Sequence, residues 1–386
     1  MTMPLTAAAS IGWLLENVAE VVDLPPAMHE AAERQYVRVG KFLANYSSGV
    51  AWDVYPQGSF RLGTVVRPLR VDMGFDLDMV CSRDISKESI TQAKLKDDVG
   101  VALEEYVKDS KDIPGMPISC LPSRRCWTLD YVDGFHMDVL PAVPDQDSRP
   151  TGIWLTDKKL TRWQPSDPIA YANWFRSQMA TALERGRIAK AADLRKSIEE
   201  VPEWQVKTTL QQLVQVLKVH RDLHFKDDLD DKPTSILITT LAALSYNGVD
   251  DLFDAILHVV DRMADHIETT PAGPRVCSPV SDENFTDKWR EYPLREQKFK
   301  EWLKKVRLDL QGAANLNGMD VVTKRLGESL GVERVVKAAE LVGMKTRSLG
   351  DAAKLAVVGG GALLTLSTQP GASIIPKHGF YGTTKS

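Results

Sequence analysis

The segment FDLDMV, residues 75–80, constrains this chain more than any other. In a strand, alternate side chains point to opposite faces, so Asp76 and Asp78 share one face while Phe75, Leu77 and Met79 share the other. The apolar face belongs on a core. The acidic face needs a partner, because burying an ionised carboxylate is costly unless a cation or a donor meets it. Two neighbouring carboxylates raise each other's pKa, so keeping both ionised favours a divalent cation between them. Mg²⁺ suits the site, since it takes oxygen ligands and is held by one or two carboxylates together with substrate phosphates. The plainer alternative is an edge strand whose acids are solvated.

Two further stretches turn this pair into a constellation. Upstream, YPQGSFRLGT carries Gln57, Gly58 and Ser59 at a transition from strand-like to helix-like sequence. Glycine there lets a phosphate approach the backbone and a serine hydroxyl can donate to it. Downstream, CWTLDYVDGFHMDVLPAV reads as two alternating strands joined at Val132-Asp133-Gly134, a hairpin signal. In its second strand His136, Asp138 and Leu140 share one face, and Asp138 is a lone acid inside an apolar run. Asp130 and Asp133 compete for the role, but both lie at or near the turn, where an acid needs no special reason. Asp138 is the choice. Three carboxylates facing a Gly-Ser turn form the arrangement that two-metal phosphoryl or nucleotidyl transfer requires.

Around this centre the period of the sequence changes twice. Residues 6 to 46 are helical in two blocks broken at Asp23-Leu24-Pro25-Pro26, residues 52 to 80 carry strand-like runs near Val65 and Leu77, and Lys87 to Val107 is amphipathic helix. Beyond Asp167-Pro168 the pattern is helical to about Val342, and the Gly-rich stretch from Gly359 to Ser386 has the look of an appendage. With 386 residues a sizeable core is available, and with 48 Lys+Arg against 52 Asp+Glu the net charge of -4 indicates no global attraction to nucleic acid or anionic membrane. Cys81, Cys120, Cys126 and Cys277 show neither zinc-ribbon spacing nor disulfide density, no signal peptide is evident, and no apolar run approaches the roughly 20 residues that span a bilayer. The expectation is a reducing cytoplasm.

The helical half adds two features. In VKTTLQQLVQVLKVHRDLHF an apolar stripe through Leu210, Leu213 and Leu217 is flanked by Lys207, Gln211 and Lys218. Lys218 either reaches a phosphate as a point charge or sits on a solvated flank. In DKPTSILITTLAAL, Thr234 or Ser235 is placed to cap the following helix, and a helix start with a hydroxyl is also an anion site.

Taken in order, QGSFRLGT, FDLDMV, HMDVLPA, LKVHRD, KPTSILITTLAA and PVSDENFTDKW resemble the bacterial nucleotidyltransferases of the DNA polymerase β-like superfamily related to cyclic GMP-AMP synthase and oligoadenylate synthase. The resemblance covers roughly residues 10 to 310. It implies an α+β, bilobal fold with a mixed-sheet lobe and a helical lobe: a core lobe with N-terminal helices over 1–160, a helical lobe over 161–310, C-terminal helices over 311–358 and a flexible tail over 359–386. It implies that Gly58, Ser59 and Lys218 hold a triphosphate, with Gln57 beside them, that Asp76 and Asp78 bind Mg²⁺ or Mn²⁺, and that Asp138 completes a two-ion site and helps activate the attacking hydroxyl. Ser235 then touches the phosphates from the helical lobe, while Asn284 and Phe285 lie near the acceptor nucleotide. The implied activity is synthesis of a cyclic di- or trinucleotide from ATP, GTP or other nucleoside triphosphates, as a second messenger that a downstream effector binds in antiphage (CBASS) signalling.

An RNA-tailing or protein-nucleotidylating transferase would use the same acids, and a non-catalytic nucleotide sensor would share the scaffold. The zinc-binding insertion of the animal DNA-sensing relatives is missing, and HRDLH, with His220 and His224 at i and i+4, has neither the glutamate nor the third ligand of a zinc site. The ending HGFYGTTKS is similar to those of synthases processed at a C-terminal glycine by a ubiquitin-transfer-like partner, although here Ser386 lies beyond Gly382.

Overall fold

The computed structural model describes residues 7–46, 52–67, 75–123, 125–132, 134–156, 159, 162–180, 207–351, 355–358, 363–366 and 373–374. The chain opens with α1 (Ala7–Val22) and α2 (Pro26–Asn45), and Pro26 starts α2 at the position where a missing N–H costs nothing. β1 (Trp52–Gln57) runs straight into the short α3 (Gly58–Leu62), followed by β2 (Phe75–Arg83) and α4 (Gln92–Asp109). The strand-to-helix transition expected at Gln57-Gly58-Ser59 falls there, with β1 ending at Gln57 and α3 starting at Gly58, whose φ of 63° permits the bend.

β3 (Pro117–Pro122), β4 (Trp127–Tyr131), β5 (Phe135–Pro144), β6 (Ile153–Leu155) and β7 (Gln164–Ser166) complete a mixed sheet ordered β1-β2-β5-β4-β3, with β6 on β5 and β7 on β6. β2 and β5 are parallel, and the other pairs are antiparallel. The β4–β5 hairpin is as the sequence suggests: Gly134 has φ 76° and its N–H donates to the Tyr131 carbonyl at 3.2 Å. Asp133, part of that expected turn, lies outside the described residues. The strand-like run at Val65 is not a strand. Its neighbours form an extended loop instead, because their carbonyls are taken by side chains from the helical lobe, as described below.

The helical lobe holds α5 (Pro168–Gln178), α6 (Thr209–His224), α7 (Ser235–Ser245), α8 (Leu252–Arg262), the hairpin β8 (Glu268–Thr270) and β9 (Gly273–Arg275), α9 (Leu294–Ala314), α10 (Met319–Leu330) and α11 (Val332–Asp351). Asp167 caps α5 by accepting from the Ala170 N–H at 2.8 Å.

Two cores divide the N-terminal helices between them. Leu14, Leu15 and Val18 of α1 are buried with Leu213, Leu217, Ile256 and Trp302 of the helical lobe, whereas Ala32, Val39 and Leu43 of α2 are buried with Leu77, Met79, Met137 and Val139 of the sheet. This departs from a boundary that assigns both helices to the sheet lobe. The helix break at Asp23-Pro26 lets consecutive helices serve different cores. The C-terminal helices likewise do not stand apart, since Leu326, Leu330, Val335 and Ala338 belong to the helical core. β10 (Leu355–Val358), at the end of the stretch expected to be C-terminal helix, pairs with β11 (Leu363–Leu366) and β12 (Ser373–Ile374) of the expected tail as a small antiparallel sheet, and Gly382 lies outside the described residues. Among the described residues no helix is long and apolar enough to cross a membrane.

Candidate active site

The parallel pairing of β2 with β5 decides which acids meet. Its register sets Asp76 beside His136 and Asp78 beside Asp138, so the acidic faces of both strands are one surface. The opposite face is as apolar as the alternation demands: Phe75, Leu77 and Met79 are buried with Phe135, Met137 and Val139. Asp76 is exposed, while Asp78 and Asp138 are half-buried.

Crowding shows in the electrostatics. Burial, then the charges of Asp138 and Asp76, push Asp78 up to about 7, although Arg125 and Lys218 pull it down. Partial loss of hydration on the sheet face, then the charge of Asp138, raise Asp76 as well, although its side chain reaches solvent. The Thr128 hydroxyl donates to Asp138 Oδ1 at 2.6 Å, and the Cys126 thiol, pushed up to about 11 by burial and by Asp138, also contacts that carboxylate. Asp130, the rival third acid, is already engaged: it accepts from Ser119 and faces His136 Nδ1 at 2.7 Å.

The three carboxylates offer hard oxygen ligands, which fits Mg²⁺. Among the described residues, however, no three His, Cys, Asp or Glu side chains form a ready chelate. The acids line neighbouring strands instead of surrounding one point. Mg²⁺ usually keeps several waters and substrate oxygens, so this partial set is compatible with it.

Gly58 has a structural reason that the sequence hides. A Cβ added there would overlap Asp78 Oδ2 and stand 2.9 Å from its Cγ. The backbone at the strand-to-helix turn thus lies directly on the carboxylate, with Gln57 opposite Asp78 in the β1–β2 register.

The loop after α3 is held by the helical lobe, carbonyl by carbonyl. Gln211 Nε2 donates to the Leu62 carbonyl at 2.9 Å, Lys207 Nζ to that of Gly63 at 2.8 Å, Lys218 Nζ to that of Thr64 at 2.9 Å and Gln215 Nε2 to that of Val65 at 2.8 Å. Gln211 also closes the capping box that starts α6, its Oε1 accepting from the Thr208 N–H at 2.9 Å. Asp23 joins the clamp, 3.0 Å from Gln215 and 3.2 Å from Lys207. Lys218 is therefore neither a solvated flank nor, as placed, a free charge. It is 4% exposed and its ammonium is drawn down to about 7 by burial and by Arg221.

Other expected contacts are also taken up internally. Thr234 holds the N-cap position of α7 without a capping bond, and the Ser235 hydroxyl accepts from Arg221 at 3.0 Å. Asn284 Oδ1 accepts from the Thr286 N–H at 3.1 Å and shapes its own loop. Its neighbours face outward: Glu283 and Phe285 line a cavity of about 220 Å³ between the lobes, together with Gln57, Gly58, Asp78 and Arg125. Ser59 and Lys218 are not part of that lining. Glu283 and Arg125 escape notice in the sequence because neither interrupts a periodic apolar run.

Residues 14–178 match the Second Messenger Oligonucleotide or Dinucleotide Synthetase (SMODS) domain. A c-di-GMP synthase of Roseivirga ehrenbergii is 27% identical over 378 residues, spanning 95% of this chain and 96% of that protein. The chain is similar to the bacterial cGAS/DncV-like nucleotidyltransferases. Within this family, the cyclic dinucleotide synthase CdnG of Bradyrhizobium diazoefficiens is 25% identical over 324 residues, covering 78% of this chain and 75% of that one. Its structure with GTP superposes with a TM-score of 0.69 at 20% identity, over 86% of this chain and 99% of that one. The di-nucleotide cyclase DncV of Vibrio cholerae, solved with GTP and 5MTHFGLU2, shares the fold at a TM-score of 0.55 and 15% identity, over 84% and 87% of the two chains.

His220 of HRDLH has structural work in this chain. Trp302 Nε1 donates to His220 Nδ1 at 3.0 Å, and an indole N–H is only a donor, so Nδ1 is an acceptor and Nε2–H faces Asp309 at 3.1 Å. Both ring nitrogens are spoken for. Burial alone would raise Asp309, but hydrogen bonds from His220 and Lys305 outweigh it and hold the carboxyl at about 2.

Proposed function

We propose that this protein is a metal-dependent nucleotidyltransferase that joins nucleoside triphosphates and closes the product into a cyclic oligonucleotide, a second messenger for a downstream effector. The observation that carries the reading is the register of β2 on β5, which sets Asp78 against Asp138 with the Gly58 backbone on the Asp78 carboxylate at the wall of an interlobe cavity. The names of the relatives from Roseivirga and Bradyrhizobium point the same way.

Asp76, Asp78 and Asp138 would hold the Mg²⁺ or Mn²⁺ ions. Bound there, a pair of such ions supplies charge neutralisation at the reacting phosphate and acidifies the attacking hydroxyl. Asp138, with Oδ1 fixed by Thr128, accepts the proton of that hydroxyl. Gly58, on the cavity wall, presents its backbone to the phosphates, and the clamp from α6 keeps the loop that follows in place.

The test is purified protein with all four nucleoside triphosphates and Mg²⁺ or Mn²⁺, followed by mass spectrometry. Phosphatase-resistant small cyclic products support the reading, and Asp76→Asn with Asp78→Asn should abolish them while the fold survives. Undiminished product from that double variant overturns the assignment. Products formed only when an RNA or protein acceptor is added would favour the tailing or protein-nucleotidylating alternative.

A further inference from the structure

The interlobe cavity is lined by two chemically different sets of side chains. One set, Gln57, Gly58 and Asp78, belongs to the reacting end. The other includes Tyr171, Ile236 and Phe285, which offer apolar and aromatic surface, and two acids: Asp167, whose oxygens already accept from the Ala170 N–H and the Thr151 hydroxyl, and Glu283. Glu283 is unusual. Among the described residues no Lys, Arg or His forms an ion pair with it, and its one side-chain donor is Ser166, whose hydroxyl meets Oε2 at 3.1 Å. The Glu283 backbone is fixed, since its carbonyl accepts from the Ser278 N–H at 2.8 Å. Burial raises its pKa, and Arg125, on the wall of the same cavity, opposes that shift with its charge. A half-buried carboxylate with acceptor capacity to spare, facing a cavity beside an aromatic ring, can accept N–H donors from whatever fills that cavity.

We infer that Glu283 selects guanine: its carboxylate accepts the N1–H and N2–H of a guanine base lying against Phe285, while Arg125 donates to O6. The four bases differ at this edge. Guanine alone offers two adjacent N–H donors next to a carbonyl acceptor. Adenine sets its N1 lone pair against the carboxylate and its amino group against the guanidinium. Cytosine has one amino donor beside an acceptor, and uracil has one N–H between two acceptors. A site built from buried polar groups rejects mismatched edges strongly, because the mismatch leaves those groups unpaired.

This inference rests on the reading of the cavity as a nucleotide site, so its test separates the two. Calorimetric titration of the full chain with non-hydrolysable GTP, ATP and inosine triphosphate analogues measures base preference without turnover. Inosine lacks only the N2 amino group, and loss of a hydrogen bond to a charged acceptor predicts binding about tenfold weaker than guanine or worse. Glu283→Gln should bring GTP and ATP affinities within about threefold of each other, chiefly by weakening GTP, since the neutral amide keeps one acceptor and gains a donor. A purely structural role for Glu283 would leave the GTP-to-inosine ratio unchanged by Glu283→Gln. Equal binding of GTP and inosine analogues, or a guanine preference that survives Glu283→Gln, overturns the inference while leaving the nucleotide site intact. Failure of the parent protein to bind any analogue overturns both.

Discussion

Gly58→Ala offers the sharpest test of the active-site geometry, because it places one methyl group against one carboxylate. Gly58 has φ 63°, where an L-residue costs about 1–2 kcal/mol, and the new Cβ would overlap Asp78 Oδ2. The backbone cannot retreat freely, since the following loop is tied through Leu62, Gly63, Thr64 and Val65 to α6. Asp78 must therefore swing away from Asp138, or the turn must shift. A strain of this size lowers the melting temperature by a few degrees, on the scale of about 2–4 °C per kcal/mol for a domain of this class. Catalysis should suffer far more, because displacing a reacting group by about 1 Å costs on the order of 100-fold in rate. The assay pairs a thermal melt with steady-state nucleotide incorporation. A variant that melts a few degrees lower yet retains activity within about threefold would refute the claim that Gly58 exists to let the backbone rest on Asp78.

Asp78→Asn should stabilise the metal-free protein in a pH-dependent way. The folded-state pKa is raised from 3.8 to about 7, so stability from the protonated carboxyl is fully present below the unfolded value and is lost as pH rises through about 7. The melting-temperature difference, variant minus parent without divalent cations, should grow from pH 4 to 7 and then level off; a flat difference would contradict the crowding of the acids. Gln215→Leu removes the donor to the Val65 carbonyl and to Asp23. Leaving the Val65 carbonyl unmet, while Asp23 keeps Lys207, should cost about 1–3 kcal/mol of stability and raise the KM for triphosphate more than it lowers kcat. A stability loss with unchanged KM would limit the clamp to a structural role.

Much of the candidate site was legible in local pattern. The alternation in FDLDMV and FHMDVL places Asp76, Asp78 and Asp138 on faces opposite to Phe75, Leu77, Met79 and Met137, and the burial of those apolar residues agrees. Pro26 and Asp167 mark helix starts where the structure has them. These features depend on the period of the backbone and on capping chemistry, both set within a few residues of chain.

Tertiary structure decided the rest, because it turns on which distant groups come together and what they lose in hydration. The parallel register of β2 on β5 pairs Asp78 with Asp138; no local signal distinguishes it from a register shifted by one step that would send the acids inward. Lys218, Gln211 and Gln215 look like the polar flank of an amphipathic helix, yet they are buried by the lobe interface and donate to carbonyls of a loop that the sequence makes look strand-like. Ser235 and Asn284 spend their polar atoms on neighbours within the helical lobe, while Glu283, one residue from Asn284, lines the cavity. A side chain's period comes from its own segment, but its partners come from the whole fold, and the cost of leaving a buried polar group unmet selects them.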